Sequence, residues 1–134
     1  MRRTAREAVL KALYRGEFLP GSMEEALGEE KRRIGDRDWP FASALLTGVR
    51  DHRDELDRLI HLRAEGWGID RLPLVDRNIL RLGVYELLHT DTPGEVVINE
   101  AVELAKAYGS EHAPAVVNGI LDRLWKEKKG GHAA

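Results

Sequence analysis

The sequence predicts an all-α protein, folded as one compact domain or as two closely packed subdomains. Three observations indicate this fold class. Apolar residues recur at helical spacing through most of the 134 residues, and no segment shows the period-two alternation of a strand. Residues 74–124 contain three apolar helical patterns joined by short loops, which is typical of a helical bundle. Hydrophobic residues (43%) and charged residues (33%) have the proportions of a soluble helical protein.

The first part of the chain predicts a basic helix followed by a short acidic one. Small and apolar side chains form a stripe over about residues 4–18, and Pro20-Gly21 ends this helix. Ser22 and Glu25 have the spacing of a capping box, which predicts a short helix to about residue 33.

A longer helical pattern follows from Trp39-Pro40. Its apolar residues continue to Ile60 with a polar interruption at residues 50–55, which fits one bent helix or two. Residues 64–72 then predict a loop or a single turn, in which Trp67 fills a gap between subdomains.

Residues 79–88 predict the central helix, because a helix that is apolar on nearly every side must be covered on every side. Gly83 in this helix predicts the close approach of a neighbouring helix, since glycine lowers helix stability. In the next helix we expect Thr92 to be the N-cap, with Pro93 at the first helical position and Gly109 at the end.

The last helix begins near Pro114 and has one apolar face, formed by Val117, Ile120, Leu121 and Leu124. Asn118-Gly119 lies inside this helix and Asn99 inside the preceding one, although both residue types are poor helix formers. We expect buried asparagine amides that satisfy backbone groups, with Gly119 allowing close packing, rather than a ligand site. Residues 130–134 are expected to be disordered.

Composition and motifs argue against several classes of protein. Cysteine is absent, which excludes disulfides and thiol chemistry, and no secretory or membrane-spanning segment is evident, so we expect a cytoplasmic protein. The single Glu86-x-x-His89 motif lacks the second copy that a di-iron site needs, and His61 with Glu65 lacks further ligands. No nucleophile elbow or phosphate-binding loop occurs. We therefore expect no enzyme activity, no metal and no cofactor.

The net charge is only −2, but three arginines, Arg2, Arg3 and Arg6, cluster at the start of the first helix. Basic residues there oppose the helix macrodipole, so an anionic partner is one explanation and a solvated helix start is the other.

Several ordered motifs closely resemble those of the NusB family of transcription antitermination factors, over essentially the full length. They are Arg2-Arg3-x-Ala5-Arg6-Glu7-x-x-x-x-Ala12-Leu13-Tyr14, Asp76-Arg77-x-Ile79-Leu80-Arg81-Leu82-x-Val84-Tyr85-Glu86-Leu87, Pro93, Val97-Ile98-Asn99-Glu100-Ala101-Val102-Glu103-Leu104-Ala105-Lys106-x-Tyr108-Gly109 and Val117-Asn118-Gly119-Ile120-Leu121-Asp122. The resemblance implies two small helical bundles packed as one compact unit: a subdomain over residues 1–53 with the basic first helix, and another over residues 54–129.

The resemblance also implies a function. A non-catalytic, RNA-binding factor would bind the boxA element of ribosomal RNA leader transcripts together with NusE, a small-subunit ribosomal protein. It would join other Nus factors and RNA polymerase, promote antitermination and ribosomal RNA synthesis, and exist as a monomer or a homodimer. The alternative is a helical protein–protein interaction module without specific RNA binding.

The implied site residues fall in two parts of the chain. Arg2, Arg3 and Arg6 would contact single-stranded RNA, and arginine suits this because its fork binds phosphate or stacks on a base. Tyr14 would lie near both RNA and NusE, and Asp76 at the NusE interface. A second RNA-contacting region spans residues 109–116, with His112, Ala115 and Val116. Many relatives have Lys-Phe where this chain has Ala115-Val116, so a cation and a stacking ring are missing.

Overall fold

The computed structural model describes residues 2–64 and 68–130, which are helical except for short connections. These residues contain no strand, and the predicted all-α class is confirmed. The elements are α1 (Arg2–Phe18), α2 (Met23–Gly28), α3 (Lys31–Ile34), α4 (Trp39–Asp51), α5 (Arg53–Arg63), a 3₁₀ turn (Ile69–Arg71), α6 (Leu74–His89), α7 (Gly94–Tyr108) and α8 (Ala113–Lys129). Within the described ranges, no helix is long and apolar enough to cross a membrane.

The chain divides into two compact units, Met1–Asp51 and His52–Ala134, two residues before the predicted subdomain boundary. In the first unit α1 contacts α2, α3 and α4. Its buried side chains include Val9, Leu13, Leu27, Ile34, Leu45 and Val49. The apolar stripe of α1 is therefore the core of this unit, as the helical spacing predicts.

The predicted acidic helix after Ser22 is wrong in two respects. The segment forms two short helices, α2 and α3, because the chain turns at Glu29 and Glu30. Ser22 precedes α2 but makes no side-chain cap, and its buried Oγ has no hydrogen-bond partner among the described residues. Its backbone is already close to helical (φ −95°, ψ −2°), whereas a capping side chain normally sits on extended backbone.

The long pattern after Trp39 is two helices, α4 and α5, with His52 between them. The turn predicted over residues 64–72 contains the 3₁₀ turn Ile69–Arg71. The predicted gap-filling role of Trp67 concerns a residue outside the described ranges. The same holds for the predicted disorder of residues 131–134, whereas Gly130 is described as a turn that follows α8.

In the second unit α6 is the central helix, as predicted, and it contacts α5, α7 and α8. Ten of its 16 residues are buried. The prediction for Gly83 is also confirmed: a Cβ at this position would lie 2.6 Å from Leu121 Cδ1 on α8. Glycine therefore lets α6 and α8 approach more closely than any larger residue would.

The buried Arg81 on α6 is paired with a carboxylate of the same unit. Arg81, only 3% exposed, donates from Nε and Nη2 to both carboxylate oxygens of Asp57 on α5, at 2.6 and 3.1 Å. Its Nη1 donates to Asn78 Oδ1 at 2.9 Å. Breaking such a pair would leave a buried charge uncompensated, so it fixes α5 against α6.

The connections around α7 follow the predictions only in part. Thr92 is not the cap of α7; Pro93 occupies the N-cap position, without a side-chain hydrogen bond, and its carbonyl accepts from Val96 and Val97. Thr92 instead faces Thr90, whose Oγ1 donates to the Glu86 carbonyl at 2.8 Å and ties down the end of α6. The predicted end of α7 at Gly109 and the proline near the start of α8 are confirmed.

Candidate functional site

Two of the arginines at the start of α1 lie against an aromatic ring of α4. The guanidinium carbon of Arg2 lies 4.3 Å, and that of Arg6 5.1 Å, from the centre of the Phe41 ring on α4. Phe41 is half-buried, and cation–π contacts of this kind stabilise the arginine positions. Sequence reasoning missed this role of Phe41, because nothing local indicates which ring a distant helix will approach.

The three predicted arginines differ in exposure. Arg2 and Arg3 are exposed, whereas Arg6 is only 4% exposed. The direct RNA contact expected of Arg6 stays a prediction. Arg6 also has a structural role in the first unit, because its guanidinium packs on the Phe41 ring. Further along α1, Arg15 donates to Glu29, and this hydrogen bond and charge raise the pKa of Arg15. Arg2 and Arg3 therefore present exposed positive charge at the start of α1.

Tyr14 is 40% exposed and belongs to an apolar surface on α1. Its ring meets the ring of Phe18 edge-on at 5.1 Å, and Phe18 and Leu19 are each more than half exposed. Leu19 directly follows α1, and we call Tyr14, Phe18 and Leu19 the α1 apolar patch. Adjacent exposed aromatic side chains mark interaction surfaces more often than isolated ones do.

In the second unit, a groove of about 790 Å³ runs beside α8 and contains four of the predicted site residues: Asp76, His112, Ala115 and Val116. We call it the α8 groove. The other contributors from α8 are Gly119, Ile120 and Arg123. Arg71 at the end of the 3₁₀ turn also lines the groove, as do Leu72 and Pro73, which connect this turn to α6, and the lining is mainly apolar. The structure thus brings together residues to which the resemblance gives separate roles in RNA and partner binding.

One wall of the groove is held by a buried carboxylate. Asp76 is 3% exposed, and its two oxygens accept hydrogen bonds from Ser110, at 3.0 Å from the backbone N–H and 2.6 Å from Oγ. This clamp ties α6 to the loop between α7 and α8. The loop is also tight, since a Cβ at Gly109 would lie 2.6 Å from Ala113 Cβ and 3.1 Å from Asp76 Oδ1. Asp76 therefore positions the loop, and its contact with a partner stays a prediction.

The groove carries cationic side chains that sequence reasoning did not select. Arg71 is exposed, and its guanidinium has no hydrogen-bond or ion-pair partner among residues 2–64 and 68–130. Arg123 is exposed as well. Arg63, in contrast, is buried and bound to Glu127 at 2.6 Å. His112 is exposed and makes no side-chain cap for α8. The helical spacing of Ala115, Gly119 and Arg123 was the available signal, since four-residue steps share one helix face.

The expected packing role of Asn118-Gly119 is wrong. Both residues are exposed, as is Asn99 on α7, so neither amide is buried against backbone. A Cβ at Gly119 would meet no atom within 4 Å, and the position opens into the α8 groove. The sequence pattern could not separate a glycine that allows packing from one that keeps a surface open.

The candidate metal motif has no metal-binding geometry. His89 Nε2 lies 3.1 Å from Glu55 Oε1, while Glu86 is buried. In the described part of the chain, no three or more His, Asp or Glu side chains are grouped so that they could hold a metal ion. Glu65, the predicted neighbour of His61, lies outside it.

Comparison with known proteins identifies what the chain is similar to. The family model described as the NusB family matches residues 3–126. The transcription antitermination protein NusB of Trichlorobacter lovleyi is 46% identical over 127 residues, covering 92% of this chain and 89% of the relative. That of Myxococcus xanthus is 45% identical over 130 residues, covering 92% and 93%.

Solved structures give the same result. The chain superposes on T. maritima NusB with a TM-score of 0.88 and 42% identity, covering 100% of this chain and 94% of that one. A chain in a crystal structure of antitermination factors NusB and NusE in complex with double-stranded RNA gives a TM-score of 0.80 and 35% identity, covering 93% and 96%.

Proposed function

This chain belongs to the NusB family, and from that premise we propose that it is a cytoplasmic antitermination factor that binds boxA RNA together with NusE. In this proposal the joint complex recruits other Nus factors and RNA polymerase on ribosomal RNA leader transcripts, and so promotes ribosomal RNA synthesis. The chain itself performs no catalysis. In this proposal the chain acts as a monomer or as a homodimer.

The observation that carries the proposal is the α8 groove, in which Asp76, His112, Ala115 and Val116 meet. A mainly apolar groove with exposed cations suits single-stranded nucleic acid, whose bases need apolar cover and whose phosphates need positive charge. In this proposal Arg71 and Arg123, which line the groove and are exposed, supply that charge. The solved complex that contains a similar chain, NusE and RNA supports the same choice of partners.

The start of α1 is the second surface in the proposal. Arg2 and Arg3 are exposed. The guanidinium of Arg2 packs on the ring of Phe41, which belongs to α4, and this contact positions it. A pre-positioned arginine loses less side-chain freedom when it binds a phosphate. Because these contacts release counterions from the RNA, affinity should fall as salt rises.

The test is fluorescence anisotropy of a labelled boxA-type RNA and of a scrambled RNA of the same composition, with and without NusE, at two salt concentrations. The proposal requires tighter binding to boxA than to the scrambled RNA, and a further gain when NusE is added. Equal affinity for both RNAs, unaffected by NusE, would contradict it.

The α1 apolar patch favours the second candidate function, a protein–protein interaction module without specific RNA binding. Tyr14, Phe18 and Leu19 offer the kind of exposed apolar surface that protein partners cover. Under this alternative, Tyr14→Ala would weaken NusE binding, and the RNA would neither bind specifically nor change NusE affinity. The same titrations therefore separate the two functions.

A further inference from the structure

We infer that RNA flanking the boxA element crosses a basic surface on the first unit, formed by Lys31, Arg32, Arg33 and Arg37, which we call the α3 basic patch. All four residues are exposed. Neither the sequence motifs nor the family resemblance selected any of them as a site residue. The inference rests on the proposed RNA-binding function and extends it, because it adds contacts to a single strand outside the boxA element.

The patch arises from an abrupt change of charge along the chain. Residues 24–30 contain four glutamates and no cation, whereas residues 31–37 contain four cations and one aspartate. The glutamates belong to α2 and the turn after it, and the cations begin with α3. The Nζ of Lys31 lies 5.2 Å from the centre of the Trp39 ring, so the loop that carries Arg37 stays beside α3. The folded chain thus keeps the four cations on one part of the first unit.

The arginines of the patch differ in what they contact. Arg33 donates to Glu30 at 3.3 Å and to Glu7 on α1 at 3.1 Å, so its charge is paired. Arg32 and Arg37 make no hydrogen bond or ion pair with residues 2–64 or 68–130. The guanidinium fork of an exposed arginine binds phosphate oxygens in pairs. Arg32 and Arg37 are therefore the side chains through which the patch would bind an external anion.

The ion pair between Arg33 and Glu7 joins the patch to α1. Glu7 is four residues from both Arg3 and Lys11, and residues with this spacing share one face of a helix. Arg3 and Lys11 are exposed. Arg3 belongs to the proposed RNA surface at the start of α1, so positive charge continues from that surface onto α3.

This continuity identifies the occupant as RNA rather than as an acidic protein segment. A transcript continues beyond its boxA element, and the row from Arg3 to Lys11 covers about 12 Å along α1. The half-buried Trp39 ring beside Lys31 adds an aromatic surface among the cations. Positive charge together with an aromatic side chain is typical of surfaces that bind single strands without reading their sequence.

The first measurement is the Kd, with NusE present, for three labelled RNAs: boxA alone, and boxA extended at the 5′ end or at the 3′ end by about ten unstructured nucleotides. One of the extensions should tighten binding to the wild-type chain. Arg32→Gln and Arg37→Gln should each raise the Kd of that RNA about fivefold at about 0.1 M salt, because one phosphate contact adds about 0.7 to the salt slope. The Kd for boxA alone should change less than about twofold, since the flank is absent.

Arg58→Gln is the matched control, because it removes the same charge elsewhere. Arg58 is exposed on α5 in the second unit and does not line the α8 groove. Its Kd for all three RNAs should stay within about twofold of wild type. If Arg32→Gln and Arg37→Gln bind the extended RNA as tightly as Arg58→Gln does, the inference is overturned.

The second measurement locates the strand by photo-crosslinking. The sequence contains no cysteine, so Arg32→Cys provides a single thiol for a benzophenone label. On irradiation this label should crosslink to the extended RNA that binds more tightly and not to boxA alone. Arg58→Cys with the same label is the control and should give little crosslinking. Equal crosslinking from the two positions would overturn the inference.

Failure of the inference is distinguishable from failure of the proposed function. If the wild-type chain shows no preference for boxA over a scrambled RNA, both are overturned before any variant is compared. If it prefers boxA but neither extension tightens binding, only the α3 basic patch loses its assignment. Weaker NusE binding by Arg32→Gln without RNA, with the affinity for extended RNA unchanged, would also overturn the inference, because the patch would then bind the protein partner.

Discussion

Replacing Asp76 by alanine tests whether the groove depends on a buried carboxylate. Asp76 is 3% exposed and accepts two hydrogen bonds from Ser110, one from the backbone and one from the hydroxyl. Alanine removes both and leaves the Ser110 backbone N–H without its acceptor. The loop between α7 and α8 then loses its attachment to α6, and with it the wall of the groove that this loop forms.

The magnitude follows from the number and kind of hydrogen bonds. A hydrogen bond to a charged group contributes about 1.5–3 kcal/mol, and the two bonds share one partner, so Asp76→Ala should lower the free energy of unfolding by roughly 2–4 kcal/mol. Ser110→Ala keeps the backbone bond and should cost about 1 kcal/mol. Because both changes act on one interaction, the double variant should be less destabilised than the sum, by about 1 kcal/mol.

Urea unfolding followed by helical circular dichroism measures these differences. With a slope of about 2 kcal/mol per molar urea, Asp76→Ala should lower the midpoint by roughly 1–2 M without changing the slope. An Asp76→Ala chain within about 0.5 kcal/mol of wild type would refute the reasoning.

NusE binding then separates a positioning role for Asp76 from direct contact. Both Asp76→Ala and Ser110→Ala should weaken NusE binding if the clamp positions the loop. If Asp76→Ala weakens NusE binding and Ser110→Ala does not, the carboxylate itself contacts the partner.

Three further changes follow from the same contacts. Arg2→Ala should leave the free energy of unfolding within about 0.5 kcal/mol of wild type, since Arg2 is exposed. It should weaken binding to every RNA and reduce the slope of log affinity against log salt concentration by about one. An unchanged slope would exclude a phosphate contact. Gly83→Ala should destabilise by about 1 kcal/mol in urea, because its Cβ would lie 2.6 Å from Leu121 Cδ1 and overpacking outweighs the gain in helix propensity; a stabilised variant would contradict this. Asp57→Ala should cost about 2–3 kcal/mol by leaving the buried Arg81 without its carboxylate partner, and a midpoint equal to that of wild type would show that water replaces the carboxylate.

The candidate site was predictable only in part, and for different reasons at each residue. The family resemblance selected Asp76, His112, Ala115 and Val116, and these residues line one groove. It also selected Arg6, which is buried against Phe41, and no local pattern reveals that burial. Their roles in RNA and partner binding stay predictions, since side-chain position alone does not identify a ligand.

Helix caps show where local reasoning fails within the fold. Ser22 has the correct spacing to Glu25, yet its backbone is nearly helical and its side chain makes no cap. Thr92 has a favourable sequence position, yet it faces Thr90 and Pro93 takes the N-cap. A capping box depends on the backbone angle with which the chain enters the helix, and the packing of the preceding loop sets that angle.

The sequence by itself determined the all-α class, the central position of α6 and the close approach at Gly83, because these follow from the periodicity and size of neighbouring side chains. The tertiary structure decided which polar and small residues face solvent and which pair in the interior. Asp57 meets Arg81, Asp76 meets Ser110, and Gly119 opens into a groove. Such pairs join segments that are far apart in the chain, so their geometry exists only once the helices have packed.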